Sequence, residues 1–208
     1  MRWEDATVIV ATGLAWWALV PQIRKLARTG DPTGISTTWP AIGLVSNAAW
    51  TAYLVSQALW AAAPSTAVMV IFYVLVLRAL GRVGSHLSTP LRRGTAWAVI
   101  LFGLLAFGGW TTLGLALGWA YVLQLAPAVV AAFRTPEPTG VSAGTWSMIG
   151  VEAALWLTYG GLHSDVPVMI YGTVGIGAAV LILGRLAVTG TIRTRSAQRP
   201  RLQPPARR

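Results

Sequence analysis

Apolar residues run along this chain in stretches of about twenty, parted by short segments of Pro, Gly, Ser, Thr and Arg. A membrane-spanning helix needs about 20 apolar residues at ~1.5 Å rise each. Seven stretches meet that need: 6–23, 37–57, 62–81, 95–113, 116–133, 143–162 and 166–187, the fourth and fifth parting near Thr111–Gly118. Composition agrees, with 55% hydrophobic and 11% charged residues and a mean hydropathy of +0.61. The pattern predicts an all-α integral membrane protein and excludes a soluble domain.

The polar interruptions repeat. Trp17 to Leu54 reads as an apolar run ending in Pro21-Gln22, a basic segment (Arg24, Lys25, Arg28), an Asp-Pro-Thr-Gly turn, and a second run that Ser36 or Thr37 can cap. Proline at a helix end favours a bend. Leu123 to Gly160 repeats this stretch 106 positions later without a gap. Twelve positions match, among them Pro21 with Pro127, Gly34 with Gly140, Ser36 with Ser142, Trp50 with Trp156 and Tyr53 with Tyr159. The following run repeats at an offset of 103, pairing Pro64 with Pro167 and Leu80-Gly81-Arg82 with Leu183-Gly184-Arg185. Internal repeats in a membrane chain point to a transporter whose site lies between the halves.

Charge orients the spans. Fifteen of the sixteen basic residues fall on alternate loops and the C-terminal segment; Arg2 alone falls opposite, with Glu4, Asp5 and Asp165. The positive-inside rule then puts the N-terminus outside and the C-terminus in the cytoplasm. An odd number of spans gives both repeats the same orientation. The expected organisation is a three-helix repeat over 1–87, a linker helix over 88–114, a second three-helix repeat over 115–188 and a disordered basic tail over 189–208. The tail suits non-specific contact with anionic lipid. The start of the chain lacks the basic region of a signal peptide, so the first span is expected to be retained. Fifteen arginines to one lysine, with much Ala and Gly, hint at a bacterial source and hence the inner membrane.

Pro21-Gln22, the Thr-Gly-Ile/Val-Ser turns and the Trp-x-x-Tyr pairs at Trp50/Tyr53 and Trp156/Tyr159 resemble the PQ-loop family, in particular the SWEET sugar facilitators and their half-size SemiSWEET relatives. The resemblance covers roughly residues 6–186 and implies seven transmembrane helices in a three-one-three layout. It implies alternating access, with hinge prolines at Pro21, Pro40 and Pro127 and with Gly144 nearest the fourth hinge position. It also implies that Trp50 and Trp156 line a substrate cavity. The sugar-binding asparagines of the family's third helices are missing; the corresponding stretches read Pro64-Ser65-Thr66 and Tyr171-Gly172-Thr173. Ser65, Thr66, Gly172, Thr173 and the nearby Asn47 are therefore the substrate-site candidates beside the two tryptophans, and sugar specificity does not carry over.

Glu152 falls near the middle of the sixth run, where an ionisable side chain costs a few kcal/mol or more unless paired, protonated or facing water. That makes it a candidate proton site; its repeat equivalent is Ser46, beside Asn47. Gln124, Asn47 and Glu152 also suit hydrogen bonding between helices.

Other chemistry is not indicated. Gly172-x-x-Gly175-x-Gly177 lies within an apolar run, which suits close helix packing better than phosphate binding. His163 and Asp165 lack further ligands for a metal, and cysteine is absent. No nucleophile–base set points to an enzyme, no cofactor is expected, and the net charge of +10 lies on loops and tail rather than on a nucleic-acid-binding face. The expected function is passage of a small polar solute, a sugar or other metabolite, across the bilayer, with a homo-oligomer open. The alternatives are a proton-coupled amino-acid or metabolite exporter of the cystinosin type, or a non-transporting receptor or scaffold, as the KDEL receptor implies for this fold.

Overall fold

Long apolar runs satisfy their backbone polar groups internally only as helices, and helices are what they form. The computed structural model describes residues 5–14, 16–17, 38–136, 138, 141 and 143–197. All regular structure among the described residues is helical: α1 (Asp5–Leu14), α2 (Thr38–Ser56), α3 (Ala63–Arg82), α4 (Ser88–Arg134), α5 (Ala143–Leu162) and α6 (Val166–Ala197).

The helix ends follow from local chemistry. α2 closes with Ala58 in the left-handed region (φ 56), where Leu59 N–H donates to Leu54 C=O at 2.8 Å and Ala58 N–H to Val55 C=O at 3.1 Å. α5 closes the same way at Ser164 (φ 54), with Asp165 N–H to Gly160 C=O at 2.8 Å and Ser164 N–H to Gly161 C=O at 3.2 Å. Both are Schellman turns, and they lie 106 positions apart, at the spacing of the sequence repeat. Each next helix opens on proline, Pro64 in α3 and Pro167 in α6, where a missing N–H costs nothing.

α4 is the exception in length. Its 47 residues would extend about 70 Å if straight, at ~1.5 Å per residue. It breaks at Gly109 (φ 72, ψ −172), a conformation that side-chain-bearing residues rarely adopt. The two halves, 88–108 and 110–134, serve different neighbours. In the first, Gly94 packs against Ala41 of α2, and Trp97 Nε1–H donates to Ser46 Oγ at 2.9 Å. In the second, Gly114 and Gly118 bring the backbone onto Pro167 of α6. Thus α2 packs with α3 and α4, and α6 packs with α4 and α5. The main core joins both groups through Val8 and Ala11 of α1, Trp50 and Leu54 of α2, Leu117 of α4 and Trp156 of α5.

The all-helical class is present; the seven separate spans are not. Among the described residues, three helices are long and apolar enough to cross a membrane: Ala63–Arg82, Ser88–Arg134 and Val166–Gly190. The expected fourth and fifth spans are one helix broken at Gly109, so the linker expected over 88–114 runs on into the second repeat. The expected boundary near Thr111–Gly118 is corrected accordingly. α2 and α5 have span length but lower hydropathy, because tryptophan, tyrosine, Asn47 and Glu152 dilute their aliphatic residues. The expected first span is described only in part. The tail expected to be disordered from Thr189 is helical to Ala197.

Large apolar side chains remain on the outside of this bundle, with Phe107 97%, Leu123 72% and Phe102 71% exposed. An apolar exterior of this extent, on helices this long, is compatible with insertion into a membrane.

Candidate functional site: an aromatic cluster with one carboxylate

Trp50 is buried in α2 and Trp156 in α5, one turn before Tyr53 and Tyr159 respectively. Spacing of three places each pair on one helix face, and the rings of each meet edge to face, at 5.5 Å for Trp50–Tyr53 and 6.3 Å for Trp156–Tyr159. Between the two pairs stands Tyr171 of α6. Its ring centroid lies 6.0 Å from Trp50 and 6.0 Å from Trp156, at interplanar angles of 77° and 78°. On its face it stacks with Tyr121 of α4 at 4.1 Å and 19°. Two repeat-related tryptophans thus converge on one tyrosine.

Glu152 joins this cluster. One turn before Trp156, its Oε1 accepts the indole N–H at 3.3 Å. Tyr73 of α3, Tyr121 and Tyr171 lie within electrostatic reach of this carboxyl group. The tip of Tyr73 lies against Gly43 of α2, which has no side chain to obstruct it. Ser46, the repeat counterpart of Glu152, instead accepts from Trp97.

The other candidates are mostly engaged with their own helices. Asn47 Nδ2 donates to Gly43 C=O at 2.9 Å, Ser65 Oγ to Ala62 C=O at 2.6 Å, and Thr173 Oγ1 to Met169 C=O at 2.8 Å. Thr66 Oγ1 donates to Ala63 C=O at 3.1 Å and shares a 2.8 Å hydrogen bond with Thr51 Oγ1. Gly172 sits where α5 and α6 touch: a Cβ there would lie 2.6 Å from Leu157 N and 2.7 Å from Ala153 O. Gln124 is partly buried in α4.

The hinge candidates scatter. Pro40 is fully buried in the first turn of α2, a position that tolerates proline without bending. Pro127 lies inside α4 and is exposed, while the break in that helix falls at Gly109. Gly144 is exposed in the first turn of α5. Pro21 and Gln22 lie outside the described residues, as do most of the turn residues that carry the repeat.

A second tie closes one end of the cluster. Asp165 caps α6, its Oδ1 accepting Val168 N–H at 2.9 Å. Its Oδ2 accepts the Tyr53 hydroxyl at 2.8 Å, so one buried carboxylate links α2 to the start of α6. Sequence reading took Asp165 only as a loop partner of His163 and left Tyr171, Tyr121 and Tyr73 out of the site. The tyrosines carried one available signal: with Trp50 and Trp156 they are aromatic residues on runs that otherwise supply aliphatic ones.

Two cavities lie elsewhere. One of about 440 Å³ is lined by Val99, Ile100, Leu104, Phe107 and Thr112; one of about 180 Å³ by Val45, Ala49, Leu101, Phe102 and Leu113. Both are apolar and contain none of the site candidates. No group of His, Asp and Glu suited to a metal occurs among the described residues.

Fold and site together define an all-helical protein compatible with a membrane, with a polar-aromatic cluster where its helix groups meet. No family model matches the chain, and no curated protein matches it.

Proposed function

We propose that this protein is a membrane transporter, resembling the SWEET facilitators, that passes a small polar solute by alternating access between its two helix groups. One observation carries the reading: Trp50 and Trp156, equivalent in the sequence repeat, stand at equal distance from Tyr171. A solute site on the pseudo-symmetry axis of two repeats requires such a convergence. The Tyr53–Asp165 hydrogen bond supports it, because a passage opening toward that end must break this tie.

The three-one-three arrangement of seven membrane segments belongs to the same proposal. Straight, the 47 residues of α4 would exceed a ~30 Å hydrocarbon core more than twofold, so the Gly109 break is where α4 would divide into two segments. With the N-terminus outside, the loop after α3 and the end of α6 face the cytoplasm, and the Tyr53–Asp165 end faces out. The site then lies in a bacterial inner membrane, in a protomer able to pair with further copies.

Proton-coupled export of an amino acid or similar metabolite is the second reading, favoured by Glu152 within the cluster. The test is uptake of a metabolite mixture into proteoliposomes of purified protein, with and without a pH gradient. Accumulation that needs the gradient supports coupling; equilibration without it supports facilitation. Tight retention of a ligand with no flux overturns both in favour of a receptor or scaffold.

A further inference from the structure

The polar side chains that would recognise a sugar already spend a donor on nearby backbone. Asn47, Thr66 and Thr173 each donate to a carbonyl of their own helix, and Ser65 to that of Ala62 just before α3. A hydroxyl-rich ring needs several partners at once, since each buried hydroxyl left unpaired is costly. What the cluster offers instead is π-surface and a single carboxyl group. Trp50, Trp156, Tyr171 and Tyr121 present four rings within 4.1 to 6.0 Å of one another through Tyr171. Glu152 is the carboxylate among them, and its one hydrogen bond to Trp156 is long, at 3.3 Å.

No basic side chain among the described residues is paired with this carboxyl group. Among the described residues, Arg78 and Arg82 lie at the end of α3, Arg92 and Arg93 at the start of α4, and Arg134 at its end. Arg185 is committed to the carbonyls of Ala132, Thr135 and Pro136. A carboxyl group inside an apolar bundle, bonded to the edge of one ring in an aromatic cluster, is chemically complementary to a cation.

We propose that this cluster binds a small organic cation, an amine or quaternary ammonium compound, with Glu152 as its counter-ion. The edge-to-face contacts of Tyr171 already bring the positive edge of one ring to the negative face of another. A cation makes the same contact with a ring face more strongly, so it competes with these edge-to-face pairs and parts them as the ligand enters. The inference deepens the transport reading and rests on it only for what binding accomplishes; binding itself is measured separately.

The experiment uses the full chain in nanodiscs, with equilibrium binding of tritiated choline read by scintillation proximity. Competitors are tetramethylammonium, the neutral choline isostere 3,3-dimethylbutan-1-ol, glucose and aspartate. Choline should bind and tetramethylammonium displace it, while the neutral isostere binds at least about tenfold more weakly and glucose and aspartate do not compete. Glu152→Gln should weaken choline by a similar factor and leave the isostere unchanged, and Trp156→Leu should weaken choline as well. Failure of choline and tetramethylammonium to bind at millimolar concentration overturns the proposal, as does equal binding of the isostere or full competition by glucose. The wild-type comparison decides this even if a variant does not fold. Choline binding without flux of any solute would retain the cation site and overturn transport; flux of neutral solutes without cation binding would do the reverse.

Discussion

The hydroxyl of Tyr53 donates a 2.8 Å hydrogen bond to Asp165 Oδ2 across 112 positions of chain, and both residues are buried. The same carboxylate holds the first turn of α6 through Val168 N–H. The repeat counterpart of Tyr53 has a different neighbour: Tyr159 lies 4.2 Å from the His163 ring, within its own helix end. One side chain, Asp165, thus serves both a helix cap and a contact between helix groups.

Removing the donor should be costly. Tyr53→Phe leaves a buried carboxylate oxygen without its partner, at about 1–3 kcal/mol. Asp165→Asn can still cap α6, whereas Asp165→Ala loses cap and tie together and should be the least stable of the three. Thermal unfolding in detergent, followed by tryptophan fluorescence, gives the order. A melting temperature for Tyr53→Phe equal to wild type would show that the bond contributes nothing.

Gly109 should resist substitution although it has room. Nothing lies within 4 Å of a Cβ built there, so any loss in Gly109→Ala comes from the backbone, at about 1–3 kcal/mol. Gly103, also free of neighbours but in regular helix, is the control, where alanine should be neutral or mildly stabilising. Equal melting temperatures for the two variants would argue for a straight α4.

Close packing makes the opposite case at Gly172. Its added Cβ would meet the backbone of Leu157 and Ala153, which cannot rotate away, so Gly172→Ala must part α5 from α6 and cost about 1–3 kcal/mol. Gly177→Ala on the same helix meets nothing and should leave stability unchanged or slightly higher. Unfolding midpoints of the pair measure the difference.

Glu152→Gln preserves shape and hydrogen bonding but carries no proton. If Glu152 couples flux to protons, accumulation driven by a pH gradient should vanish in this variant while exchange without the gradient persists. Gradient-driven accumulation unchanged in folded Glu152→Gln protein would remove the proton role.

Orientation can be read with introduced thiols, because the chain has no cysteine of its own. Cysteines replacing Ser85 or Ser196 should be shielded from an impermeant thiol reagent in intact cells, and one replacing Ser164 should react. Labelling at Ser85 would reverse the proposed orientation.

Helical class and lipid-compatible surface were legible in the chain itself. Apolar runs of twenty residues leave the backbone no other way to pair its polar groups in lipid, and that constraint acts within each run. The 106-residue repeat was legible for a similar reason, and it reappears in the matched turns at Ala58 and Ser164, which local hydrogen bonds define. Helix division was less so. Gly109 is one glycine among 22, and only its backbone angles separate it from those inside regular helix.

The site depended on tertiary structure. Sequence spacing gave Trp50 and Trp156 equivalent places but contained nothing to show that Tyr171 stands between them. Which face α6 turns inward is set by packing against α4 and α5, where Gly172 and Gly175 allow close approach. Tyr53 and Asp165 met for the same reason, through contacts between segments far apart in the chain. Periodicity within a helix determines what can share a face; only the packing of helices decides which faces meet.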